Sequence, residues 1–319
     1  MLQDSLGRTV RALRLEVTRF DPCRRIFAPP AEAPAPDRLL TPAEMESLCR
    51  HLVVRHGLRK VRLVGGEPTV RDDLREIVSR LARIEGLEDL AMTTSGLTLF
   101  RDAPALKQAG LRRVNIWLDS LEPEKYQRLT GIDGLGDVLR GIDAAVAAGL
   151  RPVKLNTVVI RGENDFELSE MLLFAAWKRL EIRFIELMPG AIAPERWRRL
   201  FVSEAEIRQR LADVVTGWVA PPQQPGSARV YSAGMTYGRH VRVGFITAMS
   251  CPFCESCDRV HISCEGGFSA CLADRPAADL LPALRPAADP EKLDRLMLAA
   301  MARRSRFHPG LAQTPSGQP

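Results

Sequence analysis

The sequence predicts an α/β fold, an incomplete (β/α)6 barrel of the TIM type with a cysteine-rich C-terminal extension. Two observations carry that prediction. Six short β-rich runs alternate with stretches whose apolar residues recur at helical spacing, and five of the seven cysteines crowd into residues 251–271. Strands joined by helical crossovers pair in parallel with right-handed connections. Six repeats are too few to close an eight-stranded barrel, so an open, partial barrel follows, with a doubly wound sheet as the competing arrangement. Either fold should gather its ligands at the carboxyl ends of the strands.

The elements follow in order. "RALRLEVT" (11–18) is the first strand, and "TPAEMESLCRHLVVRHG" (41–57) is a helix. Thr41 and Glu44 form its capping box, and Gly57 closes it. "KVRLVG" (60–65) is the second strand and "VRDDLREIVSRLARI" (70–84) its helix. The strands "EDLAMTTS" (88–95) and "RRVNIWLD" (112–119) come next, then the helix "LGDVLRGIDAAVAAG" (135–149), which ends at Gly149. "PVKLNTVVI" (152–160) leads to the helix "DFELSEMLLFAAWKR" (165–179), with Asp165 as its expected N-cap, and "EIRFIEL" (181–187) is the sixth strand. After about residue 195 the alternation stops, and "VAPPQQPGSA" (219–228) is a connector rich in proline and glycine. The expected division is therefore a barrel at 1–218 and a C-terminal region at 219–319. That region reads as short strands around the cysteines, with "CEGGF" a hairpin turn and 304–319 a flexible tail.

Composition narrows the function. The net charge of +6 comes from basic residues scattered among acids, with no basic stripe interleaved with aromatics, so nucleic acid is not the expected partner. Pockets for small phosphorylated molecules account for the excess. No apolar run approaches the roughly 20 residues that span a bilayer. The N-terminus lacks a signal-peptide core. The expectation is a soluble cytoplasmic protein, in which an odd number of clustered cysteines points to metal rather than disulfides.

The strongest local signal is Cys254-x2-Cys257-x13-Cys271. Three thiolates at this spacing hold either one face of an iron–sulfur cluster, leaving one iron open, or three corners of a zinc site. Cys251, Cys264 or His261 would then complete the zinc. "VGGEP" places Gly65 and Gly66 at a strand end, where bare backbone can meet a ligand or simply turn. Arg14, Lys60, Arg62, Lys154 and Arg183 lie within strands; facing inward, they need carboxylates or anionic ligands. Lys60 and Arg62 share one strand face, as do Arg259 and His261.

In this order the pieces closely resemble one family, the GTP 3',8-cyclases, radical S-adenosylmethionine (SAM) enzymes that begin molybdenum cofactor synthesis. The similarity runs from "LGRTVRALRLEVT" through "RKVRLVGGEPTVRDDL", "LRRVNIWLDSL" and "LEIRFIELMPG" to "FCESCDRVHISCEGGFSACL". It implies an incomplete (β/α)6 barrel that joins GTP and SAM in forming (8S)-3',8-cyclo-7,8-dihydroguanosine 5'-triphosphate. It also implies two opposed clusters. Cys254, Cys257 and Cys271 match the ligands of the auxiliary [4Fe–4S] cluster, beside the GTP purine. Arg14, Lys60, Lys154 and Arg259 match residues at GTP, while Gly65, Gly66, Glu67, Thr94, Arg183 and Met188 match positions around SAM.

The departures lie mainly at the other cluster. The family holds it with a CxxxCxxC loop after the first strand. Here "VTRFDPCRRIFAPP" has Asp21, Arg25 and Ala28 at those positions and Cys23 as its one thiol; a shifted register from Cys23 puts Phe27 and Pro30 there. Trp117 stands for a small serine, Ser95 for an asparagine and His261 for an arginine, and the chain ends "SGQP" where the family has Gly-Gly. The sequence therefore predicts one cluster per chain, at the C-terminal cysteines, and assigns no catalytic side chain. Two functions follow. One is the cyclase itself. The other is a derived member that holds a purine nucleotide and one cluster as regulator or partner subunit, in a homodimer or paired with a complete cyclase.

Overall fold

The computed structural model describes residues 1–26, 34–190, 192–220 and 226–307. Of the sequence expectations, those on Phe27, Ala28, Pro30, the middle of the connector and the last twelve residues lie outside the described residues.

The six expected strands are β1 (Ala12–Thr18), β2 (Lys60–Gly65), β3 (Asp89–Thr94), β4 (Arg113–Trp117), β5 (Val153–Val159) and β6 (Glu181–Glu186). They pair in sequence order and in parallel. Sequential order selects the partial barrel, because a doubly wound sheet reverses its order midway. The helices are α1 (Pro42–His56), α2 (Leu74–Ala82), α3 (Leu99–Ala109), α4 (Pro123–Thr130), α5 (Leu135–Ala147), α6 (Leu168–Lys178), α7 (Pro194–Leu200) and α8 (Glu204–Arg210). Thr41 and Glu44 form the capping box of α1, and Gly57 ends it in the left-handed conformation. The N-cap of α6 is Glu167 rather than Asp165. Asp165 is engaged elsewhere, accepting from Gly162 N at 2.8 Å and pairing with Arg210 at 2.7 Å.

The C-terminal region does not fold apart from the barrel. β7 (Val215–Val219), β8 (Arg229–Met235) and β9 (His240–Ile246) form a meander whose last strand pairs in parallel with β6. β10 (Arg259–Ile262) pairs in parallel with β1 and carries β11 (Gly267–Ser269) and β12 (Ala278–Asp279) outward. The result is one twelve-stranded sheet, and the expected division at 218/219 falls inside β7. The "CEGGF" turn joins β10 to β11 with Gly266 left-handed. α9 (Pro290–Ala302) packs on that flank, and Asp294 ties it to His51 and His56 of α1 at 2.7 Å each. The tail expectation fails at its start: Arg304 is buried and paired with Asp4 at 3.3 Å. The principal core lies between the sheet and its helices, as parallel β/α packing requires.

Candidate functional site

Barrel geometry turns alternate strand residues inward, and here the inward positions are cationic. Arg14, Lys60, Arg62, Arg113, Lys154, Arg183, Arg242 and Arg259 line one cavity of about 190 Å³, with Asp89 and Asp258. Lys60, Asp89, Arg113 and Lys154 stand at or beside the first residues of their strands. The cavity therefore opens at the amino ends, where ligands were not expected. The eight parallel strands from β10 through β1–β6 to β9 do not close on themselves, and residues 226–228 border the cavity there. Part of the charge is internally paired. Asp89 takes Arg113 Nε at 2.8 Å, and Glu181 takes Lys154 at 3.0 Å, Arg183 at 2.7 Å and Arg242 at 3.2 Å.

Arg14 and Arg62 are different. Nε of each is buried with no hydrogen-bond partner among the described residues. Burial, then repulsion from Arg259, lowers the Arg14 pKa to about 9; burial and Arg14 push Arg62 well below the usual guanidinium range. Lys154 is lowered to about 8 by burial and Arg183, despite Glu181. Such charges are expensive until an anion arrives. The Lys60 and Arg62 pairing on one face is as expected. Arg113 was not anticipated. Its signal is the Asp89–Arg113 pairing at adjacent strand starts, where β3 and β4 run in register.

Arg14 and Arg259 also line a neighbouring cavity that holds Cys254, Cys257, Cys271, His261, Met188 and Phe253. The loop carrying the cysteines is braced from outside: Arg8 donates to Cys254 O at 2.8 Å and Arg304 to Cys257 O at 3.1 Å. Burial opposes ionisation of Cys257, but Arg259 and nearby donors outweigh it and lower its pKa, while burial raises that of Cys271. Three thiols facing one cavity are a donor set that suits one face of an iron–sulfur cluster or three corners of a zinc site. Cys264 is fully buried, and Cys251 is exposed, its Sγ 2.6 Å from Arg229.

A third cavity of about 520 Å³ joins these regions and extends to the carboxyl ends of the strands at Gly65, Trp117 and Ile185, with Arg183 and Met188 on its wall. Gly65, Arg183 and Met188 thus share a space, whereas Glu67 and Thr94 stand behind it. The buried Glu67 carboxylate accepts from Thr69 N at 3.1 Å, Thr69 Oγ1 at 2.7 Å, Thr94 Oγ1 at 2.6 Å and Ser95 N at 2.5 Å. The two glycines are required by close packing. A Cβ on Gly65 would overlap the Thr18 carbonyl, and one on Gly66 that of Phe20. Gly66 N and Glu67 N donate to those carbonyls at 2.8 Å, locking the loop after β1 onto the β2 turn.

The chain is similar to proteins of one family over most of its length. Residues 23–175 match the model of the Radical SAM superfamily, and residues 180–309 match that of Molybdenum Cofactor Synthesis C. The GTP 3',8-cyclase of Pelotomaculum thermopropionicum is 37% identical over 313 residues, covering 96% of this chain and 95% of that protein. That of Rhizobium etli is 38% identical over 309 residues, covering 96% and 87%. Mouse molybdenum cofactor biosynthesis protein 1 is 37% identical over 315 residues, 97% of this chain and 49% of its own length. Streptococcus suis SuiB bound to its precursor peptide SuiA has the same fold, with a TM-score of 0.65 at 10% identity, covering 96% of this chain and 66% of that one.

Proposed function

The chain belongs to the GTP 3',8-cyclase family of radical SAM proteins, and from that membership we propose that it binds GTP for the first step of molybdenum cofactor synthesis. The observation that carries the proposal is the pair Arg14 and Arg62, each with a buried Nε that has no hydrogen-bond partner among the described residues, facing a cavity that also holds Lys60, Lys154 and Arg259. A triphosphate supplies both the charge and the acceptors they lack. Because Arg14 and Arg259 border both this cavity and the cysteine cavity, a nucleotide with its phosphates here extends its base toward Cys254, Cys257 and Cys271. Those cysteines would hold a [4Fe–4S] cluster, whose iron without a thiolate offers the base a Lewis-acid contact.

The family is one of iron–sulfur and SAM chemistry. The residues after β1 do not fit a second cluster, since Cys23 is the one cysteine between residues 1 and 48. No step is derived through that group.

Calorimetric titration of the iron-reconstituted chain tests the reading. GTP should bind, inorganic tripolyphosphate should compete with it, and guanosine should bind at least roughly tenfold more weakly. Equal affinity for guanosine and GTP would refute it. A second reading, in which the chain itself completes the cyclisation, is favoured by the extent of its identity to named cyclases. Its mark is 5'-deoxyadenosine formed from SAM by the reduced protein with GTP.

A further inference from the structure

Two of the three positions where the family pattern puts its SAM-cluster cysteines, Asp21 and Arg25, are joined to each other by an ion pair. Arg25, only 7% exposed, reaches from the loop after β1 into the barrel mouth. Its Nη1 lies 3.1 Å from Asp21 Oδ2, and its Nε lies 3.4 Å from Asp119 Oδ2 beyond the end of β4. Its guanidinium carbon stands 5.6 Å from the centroid of the Trp117 ring. Burial disfavours the cation, but Asp119, Cys23 and Asp21 together outweigh it and raise its pKa. Burial pushes the Cys23 thiol up to about 11, leaving it protonated and a poor metal ligand at neutral pH.

The loop is also held by its own backbone. Asp21 Oδ1 accepts from Cys23 N at 2.9 Å, Arg24 N donates to Thr130 O at 2.6 Å, and Ile26 N donates to Leu129 O at 3.2 Å. These bonds stitch residues 23–26 onto the last turn of α4 without any metal. Asp21, Arg25 and Trp117 are three of the positions at which the chain departs from the family pattern. They come from two segments about ninety residues apart, yet Asp21 and Trp117 both meet Arg25. Unrelated losses would not be expected to supply a cation, its counter-ion and a ring face to one another.

We propose that residues 21–26 form a metal-free lock, in which Arg25, held between Asp21 and Asp119 and set beside Trp117, closes this site against a cluster. The chain then supplies a nucleotide site and no radical of its own. The lock does not depend on the anion cavity, so failure of GTP binding and failure of the lock are separate results.

The test uses the full chain, reconstituted anaerobically with iron and sulfide beside a variant with Cys254, Cys257 and Cys271 all changed to Ser. The wild type should hold about four irons and the variant essentially none. Hydrogen exchange at amides 23–26 should be the same in chelator-treated and reconstituted protein. Arg25→Met should speed that exchange by roughly tenfold or more while leaving α9 unchanged. Should Arg25→Met not fold, Trp117→Ser provides the same readout. About four irons in the triple-serine variant, protection of 23–26 only after iron is added, or unchanged exchange in the Arg25 or Trp117 variant would each overturn the proposal.

Discussion

Replacing Arg62 by Met should stabilise the empty protein and weaken its nucleotide complex, two effects of opposite sign. Arg62 Nε is buried without a partner, and Arg14 beside it adds repulsion rather than relief. Apolar replacement of buried ionic groups yields about 1–4 kcal/mol in favourable cases. Met matches the arginine stem, so about 1–2 kcal/mol is expected here, the lower half of that range. On the binding side, a hydrogen bond to a charged group contributes about 1.5–3 kcal/mol, which weakens binding roughly 10–150-fold when lost. Urea unfolding of the empty variant and calorimetric titration with GTP and inorganic tripolyphosphate measure the two halves. Suppose Arg62→Met lowers the unfolding midpoint of the empty protein and leaves tripolyphosphate affinity within about twofold. Arg62 would then be a structural residue, and the reasoning from its missing partner would fail.

Other consequences follow from the same geometry. Glu67→Gln places an amide N–H₂ among four donors, which should cost about 2–3 kcal/mol in urea unfolding; a neutral result would mean the four contacts do not form in solution. Gly66→Ala drives a methyl into the Phe20 carbonyl and should cost at least about 2 kcal/mol, with exchange at 19–21 rising more than exchange in α9. The α1–α9 clasp gives a pH dependence. Burial lowers the His51 pKa more than Asp294 raises it, with His56 and Arg55 adding positive charge nearby, so the folded state favours neutral His51. Its contribution is present above the unfolded value near 6.5 and is lost as pH falls below it. Asp294 is raised by burial but lowered further by His56 and His51, and its own contribution disappears only as pH falls below about 4. The unfolding midpoint should therefore fall between pH 7 and 5 in the wild type and change less in His51→Gln; parallel profiles would exclude the clasp as the cause.

Period-two and helical patterns were enough to place all six barrel strands within a residue or two, because strands buried on both faces must read as apolar runs. They could not reveal which end of the barrel is charged. Lys60 and Arg62 share a face whichever end a ligand enters, and the amino-end cavity exists only because β9 and β10 extend the sheet on both sides of an open barrel. Arg183 illustrates the same limit. Its motif position groups it with Gly65, while its charge is shared with Lys154 through Glu181. Asp165 had the right chemistry for an N-cap and was outcompeted by Arg210, a residue some forty positions away in sequence. The missing cysteines were visible in the sequence, but the partnership of Arg25, Asp119 and Trp117 was not, since nothing local links residue 25 to residues 117–119.

The two ends of the barrel can be told apart by how they handle charge. At the amino ends, the Nε atoms of Arg14 and Arg62 are buried without partners among the described residues, a cost that folding does not require, since an apolar side chain of similar volume would avoid it. That is the condition of a site awaiting an anion. At the carboxyl end, beside the loop after β1, Arg25 has two carboxylates and a ring face, though its Nη2 is buried without a partner among the described residues, and the four described donors around Glu67 satisfy its carboxylate. A site whose polar groups satisfy one another has little to gain from a ligand, because any newcomer must first break contacts already made. In the amino-end cavity eight cations face two aspartates, whereas Arg25 stands between two carboxylates of its own, and that difference in counter-charge is the reason to assign anion binding to one end and a self-contained ion pair to the other.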